Sequence, residues 1–121
     1  MAGHIVGLVS DLFFTSKISA TASLCGIQVS FSSHREDIIL KAREEKPSMI
    51  LVDLNGETFD PVEAIIAIKA DPILQIIPIV AFYSHVHTEL KEKALQAGCD
   101  TVLTRSVFAK NLAEILSTRA H

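Results

Sequence analysis

The sequence has few cysteines and no concentration of positive charge. Its two cysteines, Cys25 and Cys99, lie far apart and have no CxxC spacing. This spacing predicts two reduced, buried thiols in a reducing cytosol, unless the fold brings the pair together as a disulfide. Lysine and arginine number 11 against 14 aspartates and glutamates, and they form no cluster. The charge balance therefore argues against direct contact with nucleic acid and favours a protein partner.

Long hydrophobic runs are also missing. Asp11 interrupts the apolar amino-terminal stretch before it reaches the length of a secretory signal. No run reaches the roughly 18 apolar residues that are needed to span a bilayer. We therefore expect a cytoplasmic protein with no membrane partner.

The composition is that of an ordinary globular protein. Apolar residues make up 49% and charged residues 21% of the 121 residues, while aromatic residues account for only 6%. The core is therefore expected to consist mainly of Ile, Val, Leu and Ala. No repeat, linker or low-complexity tract divides the chain, so we predict one domain over residues 1–121.

Five apolar segments have the length and composition of β-strands. The third and fourth are continuously apolar, which indicates burial on both faces of a parallel sheet. The second alternates between apolar and polar residues, as a half-buried or edge strand does. The predicted strands cover residues 4–9, 27–31, 49–52, 76–82 and 101–104.

Helical periodicity fills the stretches between these strands. Asp60, Pro61 and Glu63 form a helix start, and Gly98 provides a left-handed helix end. The predicted helices cover residues 14–24, 36–45, 60–71, 88–97 and a closing segment around 108–116. The βα order, repeated five times, predicts a doubly wound α/β fold with a five-stranded parallel sheet and five helices.

Polar residues follow the predicted strands. In open α/β sheets, ligand sites lie at the carboxyl ends of the strands. The residues just past these ends should therefore come together, with two carboxylates and one cation among them. They are Ser10, Asp11, Asp53, Asn55, Tyr83, Ser84 and Arg105.

The spacing of Asp11 and four further segments resembles that of the receiver domains of response regulators, the CheY-like family. The further segments are Val52-Asp53-Leu54-Asn55, Lys69-Ala70-Asp71-Pro72, Ile77-Pro78-Ile79-Val80-Ala81 and Ala97-Gly98-Cys99-Asp100. The resemblance covers essentially the whole chain. It implies a flavodoxin-like sheet with the strand order 2-1-3-4-5.

The resemblance also implies roles for individual residues. Asp53 stands where the family's phospho-acceptor aspartate receives a phosphoryl group from a histidine kinase or phosphotransfer protein. Asp11, Asp53 and the main-chain carbonyl of Asn55 would bind Mg²⁺. Arg105 stands at the family's lysine position, and Tyr83 at its Ser/Thr position. An output protein is the other implied partner, and the domain would be a monomer or a weak dimer.

The sequence departs from the family pattern at several of these positions. Ser10 replaces an acid, which predicts weakened Mg²⁺ binding. Tyr83 is expected to crowd the space beside Asp53 or to turn towards solvent, with Ser84 as a substitute if the strand end bulges. Ser106 replaces a proline, so we expect a trans peptide bond before it.

Three functions remain open at this stage. The leading hypothesis is a signalling domain, not an enzyme, that accepts a phosphoryl group on Asp53. The alternative is a pseudo-receiver that binds proteins independently of phosphorylation, with Arg105 locked onto the acids. A flavodoxin-like ligand-binding domain is disfavoured because no Gly-rich phosphate loop follows a strand. His85 and His87 have too few accompanying ligands for a metal site, so we predict solvated loop residues.

Overall fold

The parallel sheet that the sequence predicts forms the centre of the molecule. A computed structural model describes residues 3–56, 60–84 and 87–119. Within these ranges the sheet has the order β2-β1-β3-β4-β5, and every strand pair is parallel. The strands are β1 (His4–Leu8), β2 (Gln28–Ser32), β3 (Met49–Asp53), β4 (Ile79–Tyr83) and β5 (Thr101–Thr104). The predicted fold class and strand order are therefore confirmed.

Helices cover both faces of this sheet. They are α1 (Leu12–Leu24), α2 (Arg35–Glu45), α3 (Pro61–Ala70), α4 (Thr88–Ala97), α5 (Arg105–Lys110) and α6 (Leu112–Arg119). Helices α2, α3 and α4 pack over one hydrophobic layer, while α1, α5 and α6 pack over the other. Every residue of β3 and β4 is buried, as their continuously apolar sequences predict.

Two predicted helix signals adopt the expected geometry. The Asp60 carboxylate accepts a hydrogen bond from the Glu63 N–H at 3.2 Å, with Pro61 as the first residue of α3. Gly98 ends α4 with a φ of 108°. A side chain there would be strained, and its Cβ would lie 3.0 Å from Cγ of Lys69.

The fourth strand begins later than predicted. Ile76 is 83% exposed, and β4 starts only at Ile79. Pro78 has no N–H to donate, and the Ile79 N–H donates to the carboxylate of Asp100 at 2.8 Å. The preceding residues form turns that hydrogen bond to Asp71, so the apolar run alone misplaced the strand start.

The closing helical segment contains two helices where we predicted one. Asn111 separates α5 from α6, with a φ of −107° and a ψ of 18°. Its side-chain Nδ2 donates to the Val107 carbonyl at 3.0 Å, and its own main-chain N–H donates to the same carbonyl at 3.1 Å. The side chain of Asn111 therefore shares the Val107 carbonyl with the main chain at the point where the helix is interrupted.

Both cysteines are free, as predicted, and Cys99 is buried, whereas Cys25 is only half-buried, contrary to prediction. Burial raises the pKa of the Cys99 thiol to about 11, so this thiol is neutral at physiological pH. Its Sγ lies 3.3 Å from the Ile79 carbonyl oxygen. Across the described residues, no helix is both long enough and apolar enough to cross a membrane.

Acid should destabilise the fold through Asp71. The hydrogen bond from Arg43, together with those from the Ile73 and Leu74 N–H groups, holds the pKa of this carboxyl below its ordinary value. Such a group contributes stability that is present above its unfolded-state pKa and lost as pH falls through its folded-state pKa. Asp71→Asn should therefore lower the free energy of unfolding at pH 7, and the difference from wild type should shrink below about pH 4.

Urea unfolding at several pH values measures this difference. The exposed Glu92 provides the control, because Glu92→Gln removes a carboxylate from the surface of α4. That control should change stability little at any pH. A wild-type advantage over Asp71→Asn that stays constant down to pH 3 would contradict this account.

Candidate functional site

A pocket of about 580 Å³ opens at the carboxyl ends of the strands. Its lining residues come from the segments that follow β1, β3, β4 and β5. They are Ser10, Asp11, Asp53, Asn55, Gly56, Ser84, His87 and Arg105. The structure therefore brings together most of the residues that the sequence placed at this edge of the sheet.

Asp53 lies at the bottom of the pocket and is only 1% exposed. Its Oδ1 accepts a hydrogen bond from the Asn55 N–H at 3.0 Å. Nη2 of Arg105 donates to Oδ1 at 3.2 Å and to Oδ2 at 3.0 Å. Burial raises the pKa of Asp53, and the Asn55 N–H and Arg105 offset this only in part, while the charge of Asp11 adds to the rise.

Asp11 has a structural role as well as a place in the pocket. Its Oδ1 accepts hydrogen bonds from the N–H groups of Phe13 at 2.8 Å and Phe14 at 3.3 Å, which caps α1. These cap contacts use only one carboxylate oxygen. Asp11 therefore orients the start of α1 and lines the pocket with the same side chain.

Arg105 is the first residue of α5, directly after β5. Thr104 caps this helix, because its hydroxyl accepts a hydrogen bond from the Val107 N–H at 3.4 Å. The peptide bond between Arg105 and Ser106 is trans, as predicted from the absence of proline. The helix start thus directs the guanidinium towards Asp53.

The side chain of Asn55 joins the loops that follow β3 and β4. Its Oδ1 accepts a hydrogen bond from the Ser84 N–H at 2.7 Å. Its Nδ2 lies 3.0 Å from Nδ1 of His87, which accepts a hydrogen bond in the tautomer that carries the proton on Nε2. We expected Asn55 to contribute only its main-chain carbonyl to a metal site. Its side chain also contacts Ser84 and His87, which precede α4.

His87 is exposed, as predicted, but it also lines the pocket. Sequence reasoning missed this contact because the HxH spacing gave no sign of a partner on the neighbouring loop. His87 and Asn55 are 32 residues apart in the sequence, and their contact is visible only in the tertiary structure. The other member of the pair, His85, lies outside the described residues.

Tyr83 does not line the pocket, contrary to expectation. It is buried in the hydrophobic layer under α2, α3 and α4, because alternation along β4 puts it on the same face as Ala81. It therefore neither crowds Asp53 nor turns to solvent. The next residue, Ser84, lines the pocket, although β4 keeps a regular register with β5 up to Thr104 and has no bulge.

The oxygen atoms around Asp53 fit a magnesium site. Mg²⁺ takes oxygen ligands, and one or two carboxylates with waters and phosphate oxygens are typical. Asp11 and Asp53 provide two carboxylates, and Asn55 lines the same pocket. Within the described ranges no group of three or more His, Cys, Asp or Glu residues could hold a metal. Binding of a cation would also require Arg105 to release one carboxylate oxygen of Asp53.

Comparison with known proteins supports the family resemblance. No protein-family model matches the chain. The response regulator protein VraR of Staphylococcus aureus is 37% identical over 79 residues, which cover 65% of this chain and 37% of VraR. The match thus spans little more than a third of that relative's length.

Solved structures share the fold at lower sequence identity. The receiver domain of sensor histidine kinase PA1611 from Pseudomonas aeruginosa, with a magnesium ion coordinated in its active-site cleft, has a TM-score of 0.85. It is 21% identical and covers 99% of this chain and 98% of its own. The chemotaxis response regulator CheY4 of Vibrio cholerae has a TM-score of 0.84 at 16% identity, and 98% of both chains is covered.

A parallel 2-1-3-4-5 sheet with an acidic pocket at its carboxyl edge is the fold of the solved CheY-like structures. The chain is thus similar in fold to CheY-like receiver domains and similar in sequence to a response regulator. Receiver domains are signalling modules of two-component systems.

Removing the side chain of Asn55 should loosen the loop after β4. In Asn55→Ala the Ser84 N–H loses its acceptor, and His87 loses its contact. Loss of this hydrogen bond should make hydrogen exchange at the Ser84 amide on the order of fivefold faster, as measured by NMR. Asn111→Ala, which removes an asparagine far along the chain in the α5–α6 connection, should leave that amide unchanged. Equal exchange in all three proteins would contradict the proposed contact.

The buried charge of Asp53 should lower stability at neutral pH. A carboxyl whose folded-state pKa is raised destabilises the fold once pH rises above its unfolded-state pKa, because the folded state then retains a proton that the unfolded state has lost. Asp53→Asn should therefore gain stability relative to wild type as pH rises from about 4 upwards. This trend is opposite to that of Asp71→Asn, which serves as the internal comparison. A gain that shrinks with rising pH would refute the raised pKa.

Proposed function

We propose that this domain accepts a phosphoryl group on Asp53 as part of a two-component phosphorelay. The observation that carries the proposal is the convergence of Asp11, Asn55, Ser84 and Arg105 on the buried carboxylate of Asp53. Phosphorylation of an aspartate is the general property of receiver domains. The match to a response regulator and the shared fold support its transfer to this chain.

In the proposed reaction, an oxygen of ionised Asp53 attacks phosphorus in line with the bond to the donor. For a phosphohistidine donor the P–N bond breaks, an acyl phosphate forms, and the departing imidazole takes a proton from water. Arg105 balances the negative charge of the phosphoryl group through its guanidinium N–H donors. Ser84 lines the pocket where its hydroxyl can donate to a phosphoryl oxygen.

Mg²⁺ would be held by Asp11, Asp53 and the main-chain carbonyl of Asn55. When bound, it supplies positive charge that neutralises the phosphoryl oxygens. We propose that its affinity is reduced, because Ser10 stands where the family has a second acid that orients the ligands. Arg105 must also release one Asp53 oxygen, and its 31% exposed side chain has room to do so.

The phosphodonor partner would be a histidine kinase or a phosphotransfer protein that docks beside the pocket. The first turn of α1 presents Leu12, 80% exposed, and Phe13, 66% exposed, next to Asp11. Apolar side chains exposed at the rim of the acceptor pocket favour a protein partner. An output protein would respond to changes at the α4 and α5 surfaces, to which Asn55 and Arg105 connect the pocket.

The remaining parts of the proposal concern the domain as a whole. Residues 1–121 would form one cytoplasmic receiver domain that signals without acting as an enzyme. It would be a monomer or a weak dimer. The formal net charge of −3 is consistent with a domain that does not itself contact nucleic acid.

Intact-mass measurement tests the proposal directly. Wild type incubated with Mg²⁺ and acetyl phosphate should gain the mass of one phosphoryl group, and Asp53→Asn should not. Asp60→Asn is the matched control, because asparagine caps a helix as well as aspartate does and Asp60 lies outside the pocket. It should be phosphorylated like wild type.

The absence of an adduct in wild type, together with no Mg²⁺ binding by calorimetry, would overturn the proposal. The domain would then be a pseudo-receiver that binds proteins independently of phosphorylation, with Nη2 of Arg105 held by both oxygens of Asp53. An adduct that persists in Asp53→Asn would place the acceptor at another residue.

A further inference from the structure

Three phenylalanines form a buried aromatic cluster between the sheet and helices α1 and α5. The rings of Phe82 and Phe108 stack with their centroids 4.2 Å apart. The ring of Phe14 lies 4.9 Å from Phe82 and 6.3 Å from Phe108. All three side chains are buried, and the Phe14 ring packs closer to Phe82 than to Phe108.

Phe14 also contacts the cation of the pocket. Cζ of Arg105 lies 5.0 Å from the centroid of the Phe14 ring. This is within the roughly 6 Å range in which a guanidinium is attracted to an aromatic face. Since Nη2 of the same guanidinium contacts both oxygens of Asp53, the guanidinium is held by a carboxylate and by an aromatic ring.

The orientation of Arg105 leaves one of its donors unused. Nε is buried and has no hydrogen-bond partner among the described residues. Arg43 behaves differently, because its Nε and Nη2 both donate to Oδ2 of Asp71. In the described part of the chain the contact with an aromatic ring belongs to Arg105 and not to Arg43. The orphaned Nε of Arg105 thus occurs together with a second interaction of the same guanidinium, the contact with the Phe14 ring.

We propose that Phe14 is a positioning residue for Arg105. Its ring holds the guanidinium in an orientation that binds both oxygens of Asp53 through Nη2 alone. The carboxylate is thereby covered until Arg105 moves. The effect of this contact between Phe14 and Arg105 on phosphorylation rests on the function proposed above, whereas the contact itself does not.

The exchange rate of the Arg105 Nε–H proton measures the contact without any phosphodonor. In ¹⁵N-labelled protein, Phe14→Leu should speed this exchange on the order of tenfold, because the ring no longer covers the guanidinium. Phe108→Leu removes a ring from the same cluster without removing the one recorded over Arg105. It should leave the exchange rate within about twofold of wild type. Equal acceleration in both variants would assign Phe14 a packing role only and overturn the inference.

A measurement on wild type keeps the inference testable if Phe14→Leu fails to fold. Protons of the Arg105 side chain that lie over the Phe14 ring should resonate upfield of those of Arg43. Arg105 signals at the positions of solvated arginine would overturn the inference.

The rate of adduct formation with acetyl phosphate tests whether the contact between Phe14 and Arg105 affects the proposed function. Phe14→Leu should form the Asp53 adduct several-fold faster than Phe108→Leu, because Arg105 leaves the carboxylate more readily. If an adduct forms and both variants react equally fast, the positioning role is wrong while the proposed function stands. If no protein forms an adduct, the proposed function fails, and the Nε–H exchange still decides the role of Phe14.

Discussion

The buried ion pair between Asp53 and Arg105 is the interaction on which the site depends. Asp53 is the last residue of the central strand, and its side chain is only 1% exposed although it lines the pocket. A carboxylate in this place is unfavourable unless donors compensate it, and a main-chain N–H and a guanidinium do so in part. Because this compensation is partial, the buried charge of Asp53 remains unfavourable, and a cation that binds the carboxylate would stabilise it.

The same few residues hold the pocket together and determine its connections to the helices. Asp11 caps α1, Asn55 holds the loop before α4, and Arg105 begins α5. These residues connect the pocket to the starts of three helices. Tyr83 lies in the core, and Val102 packs against the layer under α2, α3 and α4. Asn55 provides the contact between Asp53 and the loop that precedes α4.

Much of the fold could be predicted because its signals are local. Continuous apolar runs identified β3, and Asp60 with Pro61 identified the start of α3. The start of β4 could not be predicted, because the apolar Ile76 is exposed and a carboxylate from the distant Asp100 takes the first N–H of the strand. The last helix is divided at Asn111, where the backbone departs from helical angles, and a hydrophobic pattern carries no information on such a local change.

The order of residues alone predicted the parallel sheet and the set of polar residues at its carboxyl edge, while the family resemblance implied the strand order. Strand periodicity and chain reversal are short-range properties, so they can be read from the order of residues. Which of these side chains enter the pocket depends on tertiary packing. It directed Tyr83 into the core and Ser84 into the pocket, brought His87 to Asn55, and set Arg105 against the ring of Phe14. These contacts join residues that are distant along the chain, and their geometry follows from how helices and loops pack around the sheet.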